Sequence, residues 1–455
     1  MLVEALSPTS AVRRSCAMLM ADPPISSNID NDTDDDFDQP PPTVPSRGSG
    51  GRRTVGIVRA ALSDLADSIS FSMLRSPSGQ FAEWDEGGWH YTAEGYRMNP
   101  RTSGCTVDEM RAERVALYVL ALDAVNFCFW PTASTGGEGE NLLEYEHMAI
   151  ALKGVAEMDD GEDGVNVSVK TDQLEDCTEG KLHVCAEDTY ALSPRNLASL
   201  TLSDFLRMVS PHLPRGGGRY DIPNADERVR LLNELGFGLR ERHGGSALRM
   251  IESADRSADK LVDVLTSNFR GFRDESVDAL GRQVCFYKRA QIAVGDLWAA
   301  LGPGNNGRRR KGMPRSDVCD FTDLDRLTMF ADYRIPQLLR HLGVMRYASS
   351  LAGAVDGSRE MAAGCADELY MRAGTVVSVD MLVKEVKDRL TVEGRVKETE
   401  GDDDGCGDSS VFVERDELIK SVCAVKLDWH LWQLGEKLDR EGKLGPHHRV
   451  RTIFY

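Results

Sequence analysis

Beyond about residue 54, apolar side chains recur at three- and four-residue steps, the period of an amphipathic helix. Thr106 stands where a helix cap is needed, ahead of Asp108 and Glu109. The run that follows to Asn126 contains Val115–Leu122, which is apolar on every side. A helix with no polar face belongs at the centre of a body. Pro223 and Asn224 predict the start of a second helix over 226–243, and Gly244-Gly245 its stop. Leu248, Ile251, Ala254, Ala258, Leu261 and Leu265 predict one continuous third helix. Tyr287, Ala290, Val294, Leu297 and Leu301 give a fourth, and Leu418, Val422, Val425, Trp429 and Trp432 a fifth. Alternating patterns are short and rare, with Val165–Val169 and Val411–Val413 the best cases. The predicted fold class is therefore mainly α: a single large helical domain over 54–455.

Several stretches interrupt the helical period. Residues 1–53 hold an Asp run, then Gln39-Pro-Pro-Pro-Thr-Val-Pro45, then Gly48–Arg53. This composition predicts a disordered acidic tail with no part in the fold. Polar loop insertions are expected near 132–188, 302–316 and 398–410. Arg308-Arg-Arg-Lys311 in the second lacks interleaved aromatics and reads as a solvated loop.

Charge sharpens this picture. The net charge of the 455 residues is −19, but Asp30–Asp38, Glu157–Asp188 and Glu398–Asp408 carry −6, −9 and −6. The rest is left at about +2. Such a body suits a small anionic ligand better than a long phosphate backbone, so no stable nucleic-acid binding is expected. No run of 18 apolar residues predicts a membrane span, and the amino-terminal stretch lacks the apolar core of a secretory signal. Leu2–Ala21, rich in Ser and Arg, leaves only a weak organelle-targeting reading beside a cytoplasmic or nuclear one. Ten scattered cysteines form no CxxC pair and have no clustered His partner, so no metal site is expected and they read as reduced. GxxxxGK[ST], HExxH and GxSxG are absent, and no cofactor is expected.

The candidate chemistry lies in a few segments. In Thr328-Met-Phe-Ala-Asp-Tyr-Arg-Ile-Pro-Gln337, Pro336 predicts the opening of a helix that Gly343 ends. Asp332 falls just ahead of it, flanked by Phe330 and Tyr333. Aromatic walls raise a carboxylate's pKa, whereas a helix amino end lowers it. Such an acid can stabilise a developing cation or activate water; it can also simply cap the helix. In Leu427-Asp-Trp-His-Leu-Trp432, Asp428 beside Trp429 can read a guanine-like edge or pair with an ammonium while tryptophan stacks the ring. A surface Asp on an amphipathic helix is the alternative. Lys288 and Arg289 interrupt an apolar helix, where one can reach a phosphate or both can snorkel. Asn126 closes the all-apolar helix and needs partners, from backbone or ligand. Trp84-Asp-Glu-Gly-Gly-Trp-His90 is an aromatic loop near the start of the body.

Taken together and in order, these segments resemble the queuosine salvage family, the queuosine 5′-phosphate N-glycosylase/hydrolases. The resemblance rests on Asn99-Pro100, Leu122-Asp-Ala-Val-Asn-Phe-Cys-Phe-Trp130, and Glu227-Arg with Leu232-Asn-Glu-Leu-Gly236 and Gly244-Gly-Ser246. It continues through Phe286-Tyr-Lys-Arg-Ala-Gln-Ile292, Thr328–Gln337, Leu427-Asp428 and His448-Arg-Val-Arg-Thr-Ile-Phe-Tyr455. It covers roughly residues 62–455 outside the insertions. It implies a fold similar to the helix-hairpin-helix DNA glycosylases and hydrolysis of the bond between queuine, a 7-deazaguanine, and ribose 5-phosphate. It also implies that Asp332 is catalytic and that Phe330 and Asp428 contact the base. The family often has His where Tyr96 stands, and a second acid where Gln433 stands. These two positions join Tyr333, Trp429, Lys288 and Asn126 as candidate substrate contacts. A DNA repair glycosylase of the same fold and a non-catalytic queuosine-nucleotide binding protein are the competing readings; oligomeric state is left open.

Overall fold

The computed structural model describes residues 6–24, 52–75, 88–96, 106–130, 143–158, 190–213, 221–303, 314–400, 416 and 418–455. Side chains are described to residue 392 of the long helix that ends at Glu400. The Asp run, Asn99-Pro100, Val165–Val169, Arg308–Lys311 and Val411–Val413 lie outside the described residues.

The body is mainly helical. Its first helix, α1 (Pro8–Met20), falls where a disordered tail was expected. Val12, Cys16 and Leu19 are buried in the core. Thr9 donates to Asp259 Oδ1 through both N (3.1 Å) and Oγ1 (2.7 Å). Arg13 pairs with Asp380 at 3.0 Å. These partners lie hundreds of residues away, so tertiary contact, not local composition, orders the segment. Helix α2 (Arg59–Arg75) and α1 both lie along the later long helix.

The all-apolar run becomes α3 (Val107–Ala124), with the expected cap: Thr106 Oγ1 accepts from Glu109 N, and Glu109 reaches back to Thr106 N. Every residue from Val115 to Leu122 is fully buried. Helix α4 (Tyr145–Glu157) packs on α3. It corrects the reading of 132–188 as one polar insertion, because Met148, Ala151, Leu152 and Val155 form a buried stripe.

Two short helices, α5 (Pro194–Ala198) and α6 (Leu202–Val209), lead to α7 (Ala225–His243), which Gly244 ends with φ +60°. The continuous helix expected from 248 to 265 is divided into α8 (Ala247–Glu252) and α9 (Ala258–Asn268). Asp255 and Arg256 both take left-handed φ between them, which apolar spacing cannot foretell. Next come α10 (Lys288–Leu301), α11 (Arg334–His341), α12 (Ser349–Asp356), α13 (Ala366–Glu400) and α14 (Ala424–Arg440).

Strands are short pairs. Val55–Ile57 runs antiparallel to Met345–Tyr347, Glu275–Val277 antiparallel to Gln283–Cys285, and Glu360–Met361 parallel to Arg449–Val450. One apolar core gathers around α3, α9 and α10, the other around α1, α13 and α14; Tyr287 packs against both. The six described cysteines are free, and five of them are buried. No described helix is long and apolar enough to cross a membrane.

Candidate active site

The segment from Thr328 to Asp332 has no regular structure, yet three helices fix it. From α10, Gln291 Oε1 accepts from Thr328 N (2.8 Å) and Gln291 Nε2 donates to Thr328 Oγ1 (2.7 Å). From α13, Arg372 Nε donates to Ala331 O at 2.9 Å. From α14, Asp428 Oδ1 accepts from Phe330 N at 3.0 Å. A chain anchored this way holds its side chains as firmly as a helix would.

Asp332 then caps α11. Its Oδ1 accepts from Arg334 N (2.9 Å) and Ile335 N (3.3 Å). The capping alternative is therefore true, and it does not compete with chemistry. One oxygen is held by backbone amides, and the carboxylate is the leading charge acting on the Lys288 ammonium. The side chain is partly buried. Tyr333, half-buried, stacks on His447 with ring centres 4.4 Å apart.

Lys288 and Arg289 do not snorkel; both are buried. The turn that launches them is held by Asp274. Its carbonyl accepts from Phe286 N and Tyr287 N, its Oδ2 accepts from Lys288 N (3.2 Å), and Arg372 pairs with the carboxylate. Tyr287 takes φ +51° there. Arg289 donates to the carbonyls of Asp123, Ala124 and Gly271. Arg228 donates to those of Pro223, Val125, Phe127 and Cys128. Lys288 Nζ donates to Asn126 O at 3.3 Å. Three cations thus satisfy the orphan carbonyls at the end of α3, where its dipole also favours them. Burial pushes the Lys288 ammonium down, while Asp332, Asp123 and Asp428 hold it up.

Asp428 is 4% exposed, and burial followed by the charge of Asp332 pushes it well above the usual carboxylate range. Phe330 and Trp429 meet over Gly295 of α10. A Cβ there would lie 3.2 Å from Phe330 Cζ and 3.5 Å from Trp429 Cζ2. Trp429 stacks on Trp298 with ring centres 6.4 Å apart. The structure therefore brings together Asp332, Phe330, Tyr333, Asp428, Trp429, Lys288 and the backbone of Asn126. The Asn126 side chain faces Asp123 at 3.4 Å.

Two candidates fall elsewhere. Gln433 is exposed. It stands five residues after Asp428, about 140° around the helix and off its face. Tyr96 is buried against the Arg114 guanidinium, 4.3 Å from the ring centre. Arg114 precedes Asp123 by nine residues, about 13 Å along α3.

Other residues of the site were not singled out beforehand. Asp123 is fully buried at the end of α3, and Asp296 is 4% exposed on α10. Asp296 interacts with Asp123, Lys288 and Asp428. Tyr145 of α4 stands between aromatic neighbours, with Trp432 at 6.0 Å and Phe129 at 6.4 Å, and its hydroxyl meets His90 Nε2 at 3.0 Å. Trp89 lies 6.4 Å from Trp432. The available signal was an acid inside an otherwise apolar helix, at both 123 and 296.

A helical body that gathers buried carboxylates, one lysine and several large rings offers the side chains that a site for a small, flat, hydrogen-bonding ligand would use. Residues 106–455 match the family model described as queuosine salvage protein. The queuosine 5′-phosphate N-glycosylase/hydrolase of Dictyostelium discoideum is 33% identical over 346 residues, 75% of this chain and 79% of that protein. The Sphaerobacter thermophilus protein of the same name is 34% identical over 344 residues, 75% of this chain and 82% of its own. That of Nematostella vectensis is 26% identical over 393 residues, 86% of this chain and 91% of its own. The chain belongs to the queuosine salvage family.

Proposed function

We propose that this chain hydrolyses the N-glycosidic bond of queuosine 5′-phosphate, releasing queuine for reuse in tRNA modification. Family membership supports the activity. The observation that carries the chemistry is a partly buried carboxylate, Asp332, fixed by two backbone amides beside a buried lysine and a second acid. Breaking the bond builds positive charge on the ribose, an oxocarbenium-like state. A carboxylate already held in place stabilises that charge without reorganising and can orient the attacking water.

Phe330 and Trp429 offer faces for the flat base. Asp428 has one oxygen on Phe330 N, which leaves the other for the guanine-like edge. The phosphate role expected of Lys288 does not suit an ammonium bonded to Asn126 O and surrounded by three acids. Holding the charge of Asp332 suits it better. No cofactor or metal enters this scheme, and the substrate is a free nucleotide rather than a nucleic-acid chain. The helical architecture is compatible with kinship to the helix-hairpin-helix DNA glycosylases, and the body, α1 included, reads as a single domain.

Incubating the purified protein with queuosine 5′-phosphate and weighing the products tests the reading. Equimolar queuine and ribose 5-phosphate are expected. Binding without release of free base overturns it in favour of a non-catalytic binding protein. Release of damaged bases from duplex DNA overturns it in favour of a repair enzyme.

A further inference from the structure

Two carboxylates of the site are unused by this scheme. Asp123 Oδ1 faces Asn126 Nδ2 at a long 3.4 Å, and Asp123 Oδ2 is buried with no hydrogen-bond partner among the described residues. A buried carboxylate oxygen without a protein donor is costly, so the site calls for one. Asp296, 4% exposed on α10, lies near enough for the charge of Asp123 to raise it. Burial pushes Asp123 up to about 7 and Asp296 well above its ordinary value. The charge balance points the same way. Asp123, Asp428 and Asp332 act on one ammonium, Lys288, which already donates to a carbonyl, and Asp296 feels that same ammonium. The charge of Arg289 also bears on Asp123, but its two terminal nitrogens are committed to the carbonyls of Ala124 and Gly271.

The missing charge is therefore positive, and it must bring N–H donors. Among the described residues no group of three or more His, Cys, Asp or Glu is arranged to hold a metal ion, so an organic cation fits better. Its setting is aromatic on one side. The Tyr145 hydroxyl lies near enough to feel both Asp296 and Asp123, and its ring meets Trp432 and Phe129. Carboxylates flanked by ring faces are the usual seat of an ammonium.

We infer that Asp123 and Asp296 seat the secondary ammonium of the substrate's side arm, and so select the aminomethyl-bearing 7-deazaguanine over the bare one. The inference rests on the proposed function and assigns specificity within that same site. Asp428 keeps the guanine-like edge, and Asp332 keeps the ribose.

The test compares kcat/KM for queuosine 5′-phosphate with that for 7-deazaguanosine 5′-phosphate, which lacks the arm. Wild-type protein should prefer the former by about 30-fold or more, the scale of a desolvated charge pair. Asp296→Asn and, separately, Asp123→Asn should shrink that ratio about tenfold or more, whatever happens to the absolute rates. Equal wild-type rates for both nucleotides overturn the inference while leaving the hydrolase reading intact. An unchanged ratio in folded variants does the same. Wild-type protein that releases base from neither nucleotide overturns the function itself, and the inference with it.

Discussion

Asp428 Oδ1 accepts a hydrogen bond from Phe330 N at 3.0 Å, joining α14 to a segment 98 residues earlier in the chain. One carboxylate thus sets the height of the ring proposed to carry the base and leaves its second oxygen free of that bond. Asp428→Asn keeps an acceptor for Phe330 N and removes the charge. Its kcat/KM for queuosine 5′-phosphate should fall about 10- to 100-fold with little change in melting temperature. Asp428→Ala also strands a buried donor, adding about 1–3 kcal/mol of destabilisation. Steady-state kinetics and thermal melts on the pair separate the two roles.

Gly295 allows Phe330 and Trp429 to approach α10. In Gly295→Ala the new methyl meets both rings, at 3.2 and 3.5 Å, and Val425 Cγ1 at 3.4 Å. The gain in helix propensity, about 1 kcal/mol, offsets much of the crowding. The expected result is a near-normal urea midpoint with KM raised about tenfold, because the displaced rings are the proposed walls of the base site. An unchanged KM would place the base elsewhere.

The unliganded site should cost stability at high pH. Burial pushes Asp123 from the ordinary 3.8 up to about 7, against the opposing pull of Lys288, Asn126 and Arg289. The folded chain therefore holds this proton more tightly than the unfolded chain. The penalty is absent below about pH 4, grows by at most about 1.4 kcal/mol per pH unit to about pH 7, and is constant above. Asp123→Asn lacks it. Urea denaturation should find this variant more stable than wild type at pH 8, with the advantage shrinking toward pH 4.

Helix α1 is part of the folded body. Leu19 is 2% exposed, and Leu19→Ala should cost about 2–5 kcal/mol, seen as a lower urea midpoint with unchanged slope. A neutral result would mean that 8–20 contributes nothing to the core.

Legibility differs from element to element, for physical reasons. The α3 cap was readable because Thr106 and Glu109 are three residues apart and bond each other. The end of α7 was readable because Gly244 takes the left-handed turn that glycine favours. Helix α1 was not, since Asp259 and Asp380, which order it, are distant in sequence. The break between α8 and α9 was hidden because its two left-handed residues are Asp and Arg, not Gly. At the site, Asp332, Phe330 and Asp428 stood out through their motifs. Lys288, Arg289 and Arg228 did not reveal their task, since the carbonyls they satisfy come from other segments. Tyr145 was lost inside a stretch dominated by acidic neighbours.

The central claim rests on the carboxylate of Asp332. Asn at this position can still accept from Arg334 N and Ile335 N, so α11 keeps its cap while the charge is lost. The decisive measurement is single-turnover release of queuine from queuosine 5′-phosphate by Asp332→Asn, with nucleotide affinity measured alongside. A fall of about 100-fold or more in rate with nucleotide binding retained is predicted. Wild-type turnover by the folded variant would contradict the account.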